Sequence, residues 1–273
     1  MCRLNSSNLS PAQCFDTHNG AVTTRLQTSL QQRLKTALSM GALMGLLACS
    51  APPELPPPAT FKAQPVLEPD KAKAFVIDPT ASMLHILVYR GGSMARLGHN
   101  HVISSRSLRG TLWRGDTLTA SGFDIVVPVA ELIVDDDATR AQEGEDFPLN
   151  ISEDAKSGTK ANMLRATLLD GAQYPEIKLR SVAVSGHPES PLTVAAIQIK
   201  NQIREVQVPV RLIQHGCRIE VQGAFDLRQS DFGITPLSIA LGALQVVDAV
   251  KIKFRLVALA TNASACAPDT KKS

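Results

Sequence analysis

From about residue 82 onward, apolar and polar residues alternate one for one in short runs, the pattern of strands that bury a single face. The clearest run lies near the C-terminal end, where Ile252, Phe254 and Leu256 alternate with Lys251, Lys253 and Arg255. Val206, Val208, Val210 and Leu212 alternate with Gln207, Pro209 and Arg211, and Ile219 and Val221 with Arg218, Glu220 and Gln222. Leu108, Gly110 and Leu112 face away from Arg109, Thr111 and Trp113, before Gly115-Asp116 turns the chain. Ser82 to Tyr89, Phe123 to Pro128, Glu176 to Ser185 (apolar at Ile177, Leu179 and Val182) and Thr193 to Lys200 bring the set to about eight strands. A helix is expected from about Ser157 to Leu169, where Met163, Leu164 and Leu168 fall near helical spacing and Gly171 ends it. A second, short helix is expected over Pro236 to Leu241. The pattern predicts an all-β fold with one or two short helices, arranged as an antiparallel eight-stranded β-barrel, because closure leaves no exposed edge. A sandwich shares the same alternation and is the alternative.

Ahead of these strands the pattern changes. An apolar run from Ala37 to Ala48 follows Arg33 and Lys35 and closes on Leu46-Leu47-Ala48-Cys49. A positive start, a short apolar stretch and small residues before the cut are the anatomy of a secretory signal. A cysteine just past the cut makes it a lipoprotein signal, so Cys49 is the expected lipidation site and new amino terminus. The run is shorter than the ~20 residues a transmembrane helix needs. Pro52, Pro53, Pro56, Pro57 and Pro58 follow at once, cannot continue a helix and predict an extended tether. Ser50 stands where an inner-membrane retention aspartate would sit, which favours the outer membrane by analogy. The expected divisions are a signal region at 1–48, whose first 30 or so residues are a long n-region or precede the true start; the lipidated cysteine and tether at 49–73; the β domain at 74–260; and a polar tail at 261–273. The expected location is the bacterial cell envelope, lipid-anchored, at the outer membrane and facing the periplasm.

This division alters the charge. Four of the 28 basic residues (Arg3, Arg25, Arg33, Lys35) and one of the 25 acidic ones (Asp16) precede Cys49, so 24 of each remain after the cut. A neutral domain without a clustered positive surface argues against a nucleic-acid partner. Cys217 and Cys266 are allowed to pair in an exported protein, but spacing alone does not establish their geometry, and Cys266 lies in a Ser/Ala/Pro/Asp tail. The pairing stays open, as does the oligomeric state. Cys217 otherwise reads as a small buried residue.

The landmarks, taken in order, resemble the YceI-like family of exported, lipid-binding β-barrel proteins, from about Phe75 to Ala258. They are Val76-Ile77-Asp78-Pro79, Gly98, Leu108-Arg109-Gly110-Thr111-Leu112, Tyr174-Pro175-Glu176-Ile177, Asp231-Phe232-Gly233-Ile234 and Val247-Asp248-Ala249-Val250-Lys251-Ile252. Two stretches depart from the family pattern. Ala195-Ala196-Ile197 and Asn201-Gln202 replace a glycine-containing strand and turn, and Gly98-His99-Asn100-His101 stands where many members have Gly-x-Phe. The resemblance implies a lipocalin-like barrel that binds a long apolar chain, an isoprenoid lipid or quinone, without catalysis. The inward positions Leu84, Ile86, Val88, Val208, Val210, Ile252 and Phe254 are then the candidate cavity lining, although any one of them taken alone reads more readily as plain core.

Chemistry has few other candidates. His99 and His101 would point to the same side of an extended segment. They read as polar groups at the cavity mouth or as ligands of a metal or haem, with His85, His187 or His215 as a third ligand. The acidic residues Asp135, Asp136, Asp137, Glu143, Glu145 and Asp146 lack the spaced calcium-loop pattern and read as a solvated loop, with Arg140 and Arg165 as weak surface partners. No Gly-x-Ser-x-Gly and no phosphate-cradling glycine loop occurs. Asp231 reads as a turn residue before Gly233.

Overall fold

The structure, a computed structural model, describes residues 73–266. Cys49, the apolar run before it, the proline tether and the end of the polar tail lie outside the described residues. Twelve strands occur among the described residues: β1 (Lys73–Ile77), β2 (Met83–Gly91), β3 (His101–Ser105), β4 (Arg109–Arg114), β5 (Gly122–Pro128), β6 (Ile133–Val134), β7 (Glu176–His187), β8 (Ser190–Ile199), β9 (Gln202–His215), β10 (Arg218–Arg228), β11 (Ser238–Ile239) and β12 (Leu244–Ala260). The α-helices among the described residues are α1 (Asp137–Arg140) and α2 (Glu153–Met163), with six short 3-10 turns besides.

Eight strands close on themselves in the order β1-β4-β5-β7-β8-β9-β10-β12, with β12 returning to β1 through Phe75↔Ala260, Val76↔Leu259 and Ile77↔Ala258. Every pairing is antiparallel, and the barrel, not the sandwich, is the fold. β12 makes this possible by its length. One edge pairs with β10 from Ala249 to Leu259; the other is shared between β1 and β2. The sheet therefore forks at β12, with β3 and then β6 continuing beyond β2. The fork begins at Asp78-Pro79, where Asp78 Oδ1 accepts from the Thr80 and Ala81 N–H groups and turns the chain out of β1.

Alternation does what period two requires. Ile252 and Leu256 are buried inside while Lys251 is exposed outside. The main core (Phe75, Ile103, Leu112, Ile125, Leu256 and neighbours) fills one part of the barrel, and a second group (Ala195, Ile197, Val208, Val210, Phe232, Ile234) another. A third group lies on the outer face: Leu87, Val102 and Phe147, with Tyr89 against them. Here the segment after α1 covers the outside of β2 and β3.

Four expectations are corrected. The first helix starts at Glu153, not Ser157, because Ser152 caps it by accepting from Ala155 N–H, and it ends at Met163, before Leu169. Pro236 to Leu241 is not helical: Ser238 and Ile239 pair with β12, and Ala240 and Leu241 have φ of 50° and 56°. Val182 points out, 42 % exposed, as alternation from Ile177 and Leu179 requires; the register between β7 and β8 then slips between Ser181 and Ala183, and Val184 takes the next inward place. Cys217 is exposed, not buried, and is joined to Cys266 with Cα atoms 4.1 Å apart.

Candidate functional site

The inward side chains leave the barrel partly unfilled. They enclose a cavity of about 360 Å³ with an almost wholly apolar wall, within the ~300–1,000 Å³ typical of small-molecule sites. Leu84, Ile86 and Val88 of β2, Val208 and Val210 of β9, and Ile252 and Phe254 of β12 all lie on that wall. Phe123, Ile125, Ile177 and Leu179 join them from β5 and β7, Met163 from α2, and Phe232 from the turn before Gly233, whose φ of 69° suits glycine. Polar groups mark the ends: Arg114 and Ser121 at the end where β1 meets β12, His101, Arg228 and Gln229 at the other. Leu237, on the wall but 43 % exposed, leads from this second end to exposed Ile239 and Leu241, while Met94 and Leu97, also exposed, lie on the adjoining loop, tied there by the Met94 N–H to Ala243 carbonyl bond.

One cross-strand row fixes the level of His101. It stands opposite Val88, Val88 opposite Val250, and Val250 opposite Leu227. All four line the cavity. His101 follows a segment held by buried Asn100, whose Oδ1 accepts from Arg90 N–H and whose Nδ2 donates to the Asp146 carbonyl, each at 3.0 Å. With Asn100 anchored, the flanking His99 and His101 rings meet edge to face, centroids 4.5 Å apart.

The third member of the group is Asp135, which comes from the end of β6 and has φ of 55°, a left-handed conformation that aspartate tolerates better than most residues. Its Oδ2 lies 2.6 Å from His101 Nδ1, and its Oδ1 accepts from Val102 N–H at 2.9 Å and from Arg140. Arg140 also donates to the Asn100 and Pro148 carbonyls, each at 2.8 Å. Neither the Asp135 nor the Arg140 side chain has any solvent exposure. Burial alone raises the Asp135 pKa, but the hydrogen bonds from His101 and Val102 and the charges of His101 and Arg140 outweigh it and hold the carboxyl below its usual range. Burial, and then the adjacent His101, lower the pKa of His99.

The acidic run is thus only partly a solvated loop. Asp137, Glu145 and Asp146 are exposed, but Asp136 caps α1, and Asp135 and Glu143 are buried in ion pairs. A buried guanidinium requires such a partner, and Arg140 is a core residue, not a surface one. None of the three candidate third ligands, His85, His187 and His215, joins His99 and His101. His85 alternates with Leu84 and Ile86 and so faces outward, where its Nδ1 is 2.6 Å from Glu143 Oε1 while Lys253 Nζ is 2.6 Å from Oε2. His187 and His215 end β7 and β9 and are exposed. Arg165 is exposed as well.

Residues 75–258 match the family model of the YceI-like domain. Among solved structures, BcnA of Burkholderia cenocepacia is 17% identical, with a TM-score of 0.49 covering 66% of this chain and 98% of that one. The YceI protein of Campylobacter jejuni is 10% identical, with a TM-score of 0.38 covering 56% of this chain and 82% of that one. No curated protein matches. A family match spanning nearly all of the described residues, on a closed eight-stranded antiparallel barrel, establishes that the chain belongs to the YceI-like domain family.

Proposed function

We propose that this chain binds and carries a long apolar isoprenoid lipid or quinone, without catalysing a reaction on it. The observation that carries the reading is the continuous apolar cavity running through the barrel; a filled interior would have favoured a purely structural module. Each buried methylene contributes ~0.8 kcal/mol, so an isoprene unit of five carbons contributes about 4 kcal/mol before association is counted. Association costs an estimated ~4–15 kcal/mol, so a few units suffice for stable binding. The exposed Leu237, Ile239 and Leu241 at the His101 end give an apolar chain a wet-to-dry path into the cavity. Cys49 would keep the carrier on the outer membrane, facing the periplasm, with its ligand as its partner and no nucleic acid involved.

Native mass spectrometry of protein purified from its own host without detergent tests this. The expected spectrum has a species heavier than the protein by the mass of one isoprenoid lipid or quinone. A protein that is empty, and that takes up neither added polyprenol nor added quinone, overturns the reading.

A further inference from the structure

We propose that His99 and His101 form a site for one divalent transition-metal ion at the polar end of the cavity, with Asp135 as the carboxylate behind His101. The ion is of the imidazole-preferring class, such as zinc, copper, nickel or cobalt. The inference does not depend on the lipid-carrier reading.

Four observations converge. His101 Nδ1 is engaged by Asp135 Oδ2 at 2.6 Å. That arrangement, carboxylate to one ring nitrogen, fixes the tautomer and turns Nε2 toward the ion. His99 Nε2 is buried and has no hydrogen-bond partner among the described residues; such atoms are rare in folded proteins and call for an occupant. The donor atoms of His99, His101 and Asp135 all lie within 4.8 Å of one another. Two imidazole nitrogens on one tetrahedral ion, with metal–nitrogen bonds of ~2.0–2.1 Å, stand ~3.3 Å apart, a spacing of the same order. Finally, the charge of Arg140 beside the site is already neutralised by Asp135, which lessens the repulsion that an incoming ion meets.

The same contacts set the character of the site. Both Asp135 carboxylate oxygens are already engaged, Oδ2 by His101 and Oδ1 by Val102 and Arg140, so it orients and the two histidines bind. Two protein ligands leave coordination positions open, and His101 lines the cavity, so those positions face water or the polar end of whatever occupies the barrel. Hard oxygen-preferring ions such as calcium and magnesium find too few ligands here.

Isothermal titration of the metal-free protein from its own host with zinc and with copper tests the proposal, alongside the nitrogen hyperfine pattern of bound copper by electron paramagnetic resonance. The expected result is one ion per chain, two-nitrogen coordination of copper, and at least tenfold weaker binding in each of His99→Ala and His101→Ala, with affinity within twofold in His187→Ala and His215→Ala. Among the described residues the buried His99 Nε2 has no hydrogen-bond partner to lose, so His99→Ala keeps the test valid if His101→Ala is unstable. Absence of binding at millimolar metal, or equal binding by His99→Ala, overturns the site. Lipid uptake measured on the same variants reads the carrier function separately.

Discussion

Asp135 and Arg140, five residues apart, form an ion pair from which solvent is wholly excluded. Breaking such a pair from one side strands a buried charge, at ~3–5 kcal/mol. Arg140→Met is therefore expected to lose about that much stability by urea denaturation. It should also loosen the His99–His101 segment, because Arg140 holds the Asn100 carbonyl.

Acid should act on the same network. Burial raises the pKa of Asp135 and of Glu143, but their hydrogen bonds, His101 and Val102 for one and Lys253 and His85 for the other, leave both below the ordinary carboxylate value. A carboxyl whose pKa is lower folded than unfolded releases protons on folding, so its stabilisation is present above the unfolded pKa and disappears as pH falls through the folded one. The urea midpoint is expected to be flat near neutrality and to drop below about pH 4. Glu143→Gln should be less stable at neutral pH and lose less on acidification. An acid profile identical to that of the unmodified protein would remove Glu143 from the account.

The Cys217–Cys266 bond spans a sequence separation of 49. Loop-closure entropy for a ring of that size is worth about 4 kcal/mol. The Cys217→Ser/Cys266→Ser protein should unfold at correspondingly lower urea, and the intact protein should shift to the same midpoint in strong reductant. The three-pair β1–β12 seam adjoins this bond, so hydrogen exchange should accelerate first at Phe75 to Ile77.

Two glycines make opposite predictions. A Cβ on Gly110 would come within 2.3 Å of the Asp124 carbonyl oxygen, whereas one on Gly158, in α2, meets nothing within 4 Å. Gly110→Ala should destabilise by ~1–3 kcal/mol through overpacking. Gly158→Ala should stabilise by ~0.5–1 kcal/mol through helix propensity. Thermal melts of both variants, read side by side, check the pair.

Filling the cavity should separate ligand capacity from folding. Ile252→Trp puts a large ring into space that is open, so the melting temperature should change by only a few degrees, while uptake of a polyprenol falls at least tenfold. Retained uptake would place the ligand elsewhere.

The strands of the barrel were legible because each buries one face and period two records that fact directly, as in Lys251 to Leu256. The same rule, applied to Leu84, His85 and Ile86, already separates His85 from the inward side. What failed to show was whatever rests on contacts without a period. β6 is two residues long, so nothing in the sequence announced that Asp135 would sit beside His101, 34 residues away. The bulge after Ser181 brings Val184 inward in place of Ala183, one apolar residue for another, and leaves no mark on composition. The start of α2 was written in Ser152-Glu153-Asp154, but the apolar Met163 to Leu168 drew the expectation past the true end. Cys266 sat in a stretch whose composition said tail, and only folding shows that it returns to Cys217.

Where the sheet forks at β12, the cavity wall is completed in part by a helix: Thr159, Asn162 and Met163 of α2 face the interior beside the strands. A strand cannot leave a ladder without exposing a row of backbone donors and acceptors. Among the described residues, no backbone hydrogen bond joins α2 to any strand, and none of its residues is fully buried. Toward α1 it is tied by a side-chain pair, Lys156 to Asp137. α2 is therefore the part of the cavity wall that no backbone hydrogen bond among the described residues ties to a strand.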